Sequence, residues 1–148
     1  MLQYDFEASV GYWMAMGHHA FMRSLQQALA PHGITFRQAQ VLGCLAAEGP
    51  MTQREIADML LVEPPNLVGV IDRMEEAGLV QRRPCEDDAR KKLIHPLPAA
   101  MKQWRQIADC GRAVREQAVA GLSRRDQDEL HRLLTAVREN LEAPALAR

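Results

Sequence analysis

Asn66 carries a carboxamide that can bond a base edge or a phosphate, and Val68 offers methyl groups of the kind that pack on a thymine methyl. Pro65 precedes them and Gly69 follows, the glycine removing a side chain where backbones crowd. Arg73 stands four residues beyond Gly69. A second set, Arg82, Arg83, Arg90, Lys91 and Lys92, gathers cations around the polar loop that runs from Pro84 to Arg90. A guanidinium at Arg90 suits a phosphate or a narrow minor groove, and Asp87 or Asp88 can hold it in place. Thr52, Gln53 and Arg54 add a third polar group, and together with Lys92 they complete the candidate nucleic-acid contacts. These residue types grip a polyanion and read its edges.

Bond-breaking chemistry finds no comparable set. There is no serine elbow, phosphate loop or paired-carboxylate signature, so neither catalysis nor a cofactor is expected. The five histidines, His18, His19, His32, His95 and His131, include no pair at i, i+4, and His18 and His19 point apart on a helix. No metal site is expected. Cys44, Cys85 and Cys110 lack metal-type spacing. Cys85 lies beside Arg82 and Arg83, which favour a thiolate, and beside Glu86, Asp87 and Asp88, which oppose it. The plain reading is an incidental thiol, and a redox-sensing role is the alternative.

The elements that must position these residues follow from apolar spacing. Phe6, Val10, Trp13, Met14, Gly17, Phe21, Leu25 and Ala28 mark one face of a first helix over about Asp5 to Ala30, ended by Pro31-His32-Gly33. Thr35 and Gln38 form a capping box for a second helix with Val41, Leu42, Leu45 and Ala46 inside; Thr52 and Glu55 form another for a short third helix carrying Ile56, Ala57 and Leu60. A fourth helix begins near Pro65, where Pro65 biases Pro64 away from helical geometry. It buries Leu67, Val70, Ile71 and Met74 and stops at Gly78. Runs 79–83 and 91–95 read as a β-hairpin. Helix returns from about Ala99, with Trp104, Ile107, Gly111, Val114 and Ala118 on one stripe, and a last helix starts at the Ser123–Asp126 box with a seam of Leu130, Leu133, Leu134, Val137 and Leu141.

Helix, short helix, helix and hairpin over 35–97 make a helix-turn-helix with a wing, its second helix suited to a major groove. The outer face of that helix carries Pro65, Val68, Gly69, Asp72 and Glu76, with Asn66 and Arg73 at the margins. Asp72, Glu75 and Glu76 make its far end acidic, so it should approach DNA N-terminus first, positive dipole end leading. The expected fold is mainly α with a small β-hairpin: residues 1–34 a dimerisation helix, 35–97 the winged helix-turn-helix, 98–148 further dimerisation helices.

Gly33-Ile-Thr-Phe-Arg-Gln38 with Val41-Leu42, Met51-Thr-Gln-Arg-Glu-Ile-Ala57, Val70-Ile-Asp-Arg-Met-Glu75, Ala77-Gly-Leu-Val80 and Asp88-Ala-Arg90 occur in this order, and together they resemble the running pattern of the multiple-antibiotic-resistance regulator (MarR) family. The resemblance implies a homodimer on a pseudo-palindromic operator, Asn66 and its neighbours in the major groove and Arg90 in the minor groove. It also implies an effector pocket between the dimerisation helices and the winged helix. The chain departs from the pattern in three places: Pro65 where a small hydroxylated residue is usual, Val68-Gly69 where a polar pair is usual, and Pro96-Leu97 with Ala100 after the hairpin.

The bulk properties sharpen the choice of partner. A net charge of −1 and a pI of about 6.5 give no overall basic footprint, and within 35–97 acids outnumber bases. A winged helix used for protein–protein contact is therefore the competing class, and the cationic wing favours DNA over it. No secretory signal or membrane-length apolar run is seen, so a cytoplasmic protein without membrane attachment is expected. Trp13, Gly17, His18 and Phe36 are the candidate effector contacts, and their sparse polarity suits a small aromatic or amphipathic carboxylate.

Overall fold

The computed structural model describes residues 5–86, 88 and 90–143. Two compact units divide the chain, Met1–Val114 and Arg115–Arg148. Among the described residues, six α-helices and three strands follow in the order α1 (Val10–Leu29), α2 (Phe36–Glu48), β1 (Met51–Thr52), α3 (Gln53–Met59), α4 (Pro65–Glu76), β2 (Val80–Pro84), β3 (Lys92–Pro96), α5 (Pro98–Ala118) and α6 (Arg124–Glu142).

Helix α1 begins later than its apolar spacing suggests. Ser9 caps it by accepting the Tyr12 N–H at 3.3 Å, while Asp5 Oδ1 accepts the Ala8 N–H at 3.2 Å and holds the preceding residues in a turn. One turn of 3-10 helix, Ala30–His32, then leads to Gly33 at φ 66°, a left-handed conformation that glycine adopts without a Cβ clash. The three expected capping boxes, at Thr35, Thr52 and Ser123, are all present. Pro65 opens α4, but Pro64 is helical at φ −52°, ψ −37° despite the proline after it. The turn there is closed by Asn66 N–H donating to Glu63 O at 2.9 Å, which outweighs the local bias.

The expected hairpin is part of a three-stranded antiparallel sheet in the order β1-β3-β2. Val80 pairs with Pro96 and Pro84 with Lys92 along β2 and β3. The short strand β1 adds Met51 opposite Ile94 and Thr52 opposite Leu93. Two residues are too few to show alternation, so no periodic signal announced it.

The first unit closes on Leu29, Val41, Ile56, Leu67, Ile71, Met74, Val80 and Ile94, all with side chains essentially removed from water. Ala39 and Cys44 complete the inner face of α2, whereas Ala46, expected inside, is exposed. On α5 Ala100, Ile107, Cys110 and Val114 are buried and Ala118 is exposed. The second unit contains α6, which has no buried residue. Among the described residues no helix is long and apolar enough to cross a membrane.

Candidate nucleic-acid interface

Helices α3 and α4 meet through a five-residue connection, residues 60–64, and polar bonds fix the start of α3 and reach across this turn. Thr52 Oγ1 accepts the Glu55 N–H at 3.2 Å, and Glu55 Oε2 accepts the Thr52 N–H at 2.7 Å. The Thr52 N–H and hydroxyl hold the Glu55 carboxyl below the usual range. Gln53 Nε2 donates to Pro64 O at 3.1 Å, across the turn to the cap of α4. Of the residues expected as DNA contacts, Thr52 thus caps α3, Gln53 bonds the residue that precedes α4, and Arg54 is exposed. Leu61 in the turn has φ 52° and is 92% exposed, a left-handed conformation disfavoured for a branched side chain.

Burying Leu67, Ile71 and Met74 turns the opposite face of α4 outward. Pro65, Asn66, Val68, Gly69 and Arg73 are all exposed there, side by side at the N-terminal half and middle of the helix. A Cβ built at Gly69 would lie 3.5 Å from Arg73 Nη1. That is ordinary contact with the end of a flexible side chain on the same helix, so nothing in the chain itself crowds Gly69.

In the wing, Arg90 has a 97% exposed side chain. Asp88 Oδ1 accepts the Arg90 N–H at 3.0 Å and lies 3.7 Å from Arg90 Nε. Asp88 is thus the acid that steadies this residue; Asp87, the other acid considered, lies outside the described residues. Lys92 and Arg83 are exposed on β3 and β2. Cys85 is half-buried, and its N–H donates to Lys91 O at 2.9 Å.

Arg82 does not join the exposed cations. Its Nη2 lies 2.7 Å from Asp72 Oδ1, its Nη1 lies 2.7 Å from Glu75 Oε2, and its main-chain N–H donates to Glu75 Oε1 at 2.8 Å. The main-chain N–H is the largest cause holding the Glu75 carboxyl below its usual value. Partial burial works against the Arg82 charge, but the two carboxylates outweigh it and raise its pKa. Two of the three acids at the far end of α4 are thereby compensated from within the chain. The signal was present as two acids one turn apart and an arginine just past the Gly78 turn, but seven and ten residues of separation hid the pairing.

The candidate effector residues are not enclosed by one chain. Trp13, Gly17 and His18 lie on the exposed surface of α1. Trp13 Nε1 donates to Glu7 O at 2.9 Å, and its ring stands edge-on to Tyr12 at 5.3 Å. Beyond its own helix backbone, a Cβ at Gly17 would meet nothing within 4 Å among the described residues. Phe36 is half-buried and packs against the core. Trp104, read only as a stripe residue, is a further aromatic beside α2: its Cζ3 would lie 3.9 Å from a Cβ at Gly43. Among the described residues no group of three or more His, Cys, Asp or Glu side chains is placed to hold a metal.

Residues 32–91, the segment holding α2 to the wing, match the model of the MarR family. The chain is similar to the HTH-type transcriptional regulator YwoH of Bacillus subtilis (strain 168), 42% identical over 85 residues, which are 57% of this chain and 61% of that relative's length. It is also similar to the structure of wild-type MarR from E. coli in its apo form, with TM-score 0.79 and 25% identity over 87% of this chain and 96% of that one. The structure of CouR from Rhodococcus jostii RHA1 bound to p-coumaroyl-CoA shares the fold at TM-score 0.80 and 20% identity, over 99% of this chain and 100% of that one.

Proposed function

The chain belongs to the MarR family, and from that premise we propose that it is a cytoplasmic transcription regulator, a repressor that binds a pseudo-palindromic DNA operator as a homodimer. The observation that carries this reading is the exposed face of α4, with Asn66, Val68, Gly69 and Arg73 together, beside a wing that ends in the exposed Arg90. Asn66 and Val68 read base edges and methyl groups in the major groove. Arg90 enters the minor groove or meets phosphate. Thr52, Arg54 and Lys92 add contacts to the backbone, while Gln53 and Pro65 set the position of the helix.

Homodimerisation is supported by apolar surface on both terminal elements. Trp13 and Met14 on α1 are exposed, and so are Leu130, Leu133 and Leu134 on α6. A small aromatic or amphipathic carboxylate is the proposed effector, taken up at Trp13, Gly17, His18 and Phe36 once a second chain covers α1. Binding there would shift the spacing of the two reading helices and release the operator. A thioester such as the p-coumaroyl-CoA found with CouR belongs in the panel of ligands to be tried by tryptophan quenching.

The test is binding to duplexes from the DNA upstream of the gene, and to scrambled controls, at several salt concentrations. Asn66→Ala should cost about 1–3 kcal/mol per half-site in base discrimination, with the salt slope retained. Arg90→Ala should weaken binding to all sequences and flatten the slope by about one phosphate equivalent per subunit. An Arg90→Ala protein with affinity and slope intact would move the wing to the protein-contact class.

A further inference from the structure

Arg82 is the wing cation that faces inward. The other ion pairs among the described residues join side chains two to four positions apart, whereas Arg82 reaches from β2 to two acids on α4. Its side chain is only 22% exposed, so solvent and salt screen these pairs less than they screen the helix-surface pairs. Between α4 and β2 the chain runs through Ala77-Gly78-Leu79, with Gly78 at φ 68°, and this short connection is where the wing would pivot. A guanidinium presents its donors in a rigid planar fork, so engaging two carboxylates at once fixes direction as well as distance.

Resting on the DNA-binding reading above, we propose that Arg82 is a positioning residue for operator recognition: by bridging Asp72 and Glu75 it sets the angle between wing and recognition helix, so that Asn66 and Arg90 engage neighbouring grooves together. Arg82 itself touches no DNA in this arrangement. Specificity depends on its clamp because two reading elements held in register add their contacts, whereas a pivoting wing must be ordered at each binding event.

Charge and positioning make opposite forecasts for one variant. Asp72→Asn combined with Glu75→Gln removes two negative charges beside the DNA face, and by electrostatics alone it tightens binding to every duplex. With the clamp broken, affinity for a duplex selected from a random pool by the wild-type protein falls about tenfold, while affinity for a scrambled duplex holds or rises. The selected-to-scrambled ratio is the readout, and a general loss of stability would not lower it selectively. Arg82→Lys keeps the charge, lacks the fork and lowers the same ratio; it carries the test if the double variant fails to fold. A ratio unchanged from wild type in the folded variants overturns the proposal. A second measurement stands apart from DNA: amide hydrogen exchange across β2 and β3 in the free protein should quicken in both variants, and unchanged exchange also overturns it. Failure of the wild-type protein to select any duplex would instead overturn the DNA-binding reading, leaving the exchange result to judge the clamp.

Discussion

Leu67, Ile71 and Met74 on α4 are 0% exposed, whereas Leu130, Leu133 and Leu134 on α6 remain 44%, 48% and 44% exposed. Both helices place leucine-like side chains at three- and four-residue spacing, so the pattern alone does not separate them. The difference is what covers the stripe. Helix α4 lies against α2, α3 and β2 of its own unit, while α6 has no buried residue in its chain. Amphipathic periodicity therefore states that a helix needs a partner, and only the tertiary structure shows whether the partner is already present.

The largest effect is expected where the cover is complete. Ile71→Ala should destabilise the protein by about 2–5 kcal/mol in urea unfolding, because it leaves a cavity under α4. A loss below about 1 kcal/mol would mean that the stripe of α4 is no better buried than that of α6.

At α6 the cost should appear in association. Wild-type protein should sediment as a dimer at micromolar concentration, and Leu130→Glu with Leu134→Glu should raise the dissociation constant by about 100-fold or more. A wild-type monomer would break the comparison, since the exposed stripe would then need no second chain.

The capping boxes sharpen it on a smaller scale. Thr52→Ala and Ser123→Ala remove equivalent caps from the two units, and each should cost about 1 kcal/mol in unfolding of the dimer. Leu61→Gly should act in the opposite direction, raising stability by about 0.5–1 kcal/mol because glycine occupies φ 52° without steric penalty. A destabilised Leu61→Gly protein would show that the exposed leucine packs against something in the dimer.

The last and smallest contrast is with acid. The Glu75 carboxyl is held low by the Arg82 N–H across a tertiary contact; Glu129 on α6 is held low by its neighbour Arg132 on the exposed helix surface. A carboxyl lowered in the folded state contributes stability that is complete above its unfolded value, about 4.3, and is lost as pH falls through the depressed folded value. Glu75→Gln should therefore flatten the decline of the unfolding midpoint as the pH falls below the ordinary carboxylate value. Glu129→Gln should leave that profile nearly unchanged.

Much of the recognition surface was legible because it depends on helical geometry. Once Leu67, Ile71 and Met74 point inward, Asn66, Val68, Gly69 and Arg73 must point outward. The same reasoning counted Arg82 with the free wing cations, because charge clustering along the chain says nothing of the acids brought over from α4. For Trp13, Gly17 and His18 it supplied a shared helix face, and the enclosure expected around them is not formed within one chain.

What the residues determined by themselves are the features made within about one helical turn. The boxes Thr35–Gln38, Thr52–Glu55 and Ser123–Asp126 and the glycine stops at Gly33 and Gly78 are of this kind, since a side chain reaching a nearby N–H, or a backbone lacking a Cβ, needs no distant partner. What tertiary structure decided are the features that need two distant segments in contact. Met51–Thr52 became a strand when β3 came alongside, and Arg82 turned from one of the cations clustered at the wing into a brace between wing and helix. In each case the deciding bond joins groups seven to more than forty residues apart, beyond the reach of any local pattern.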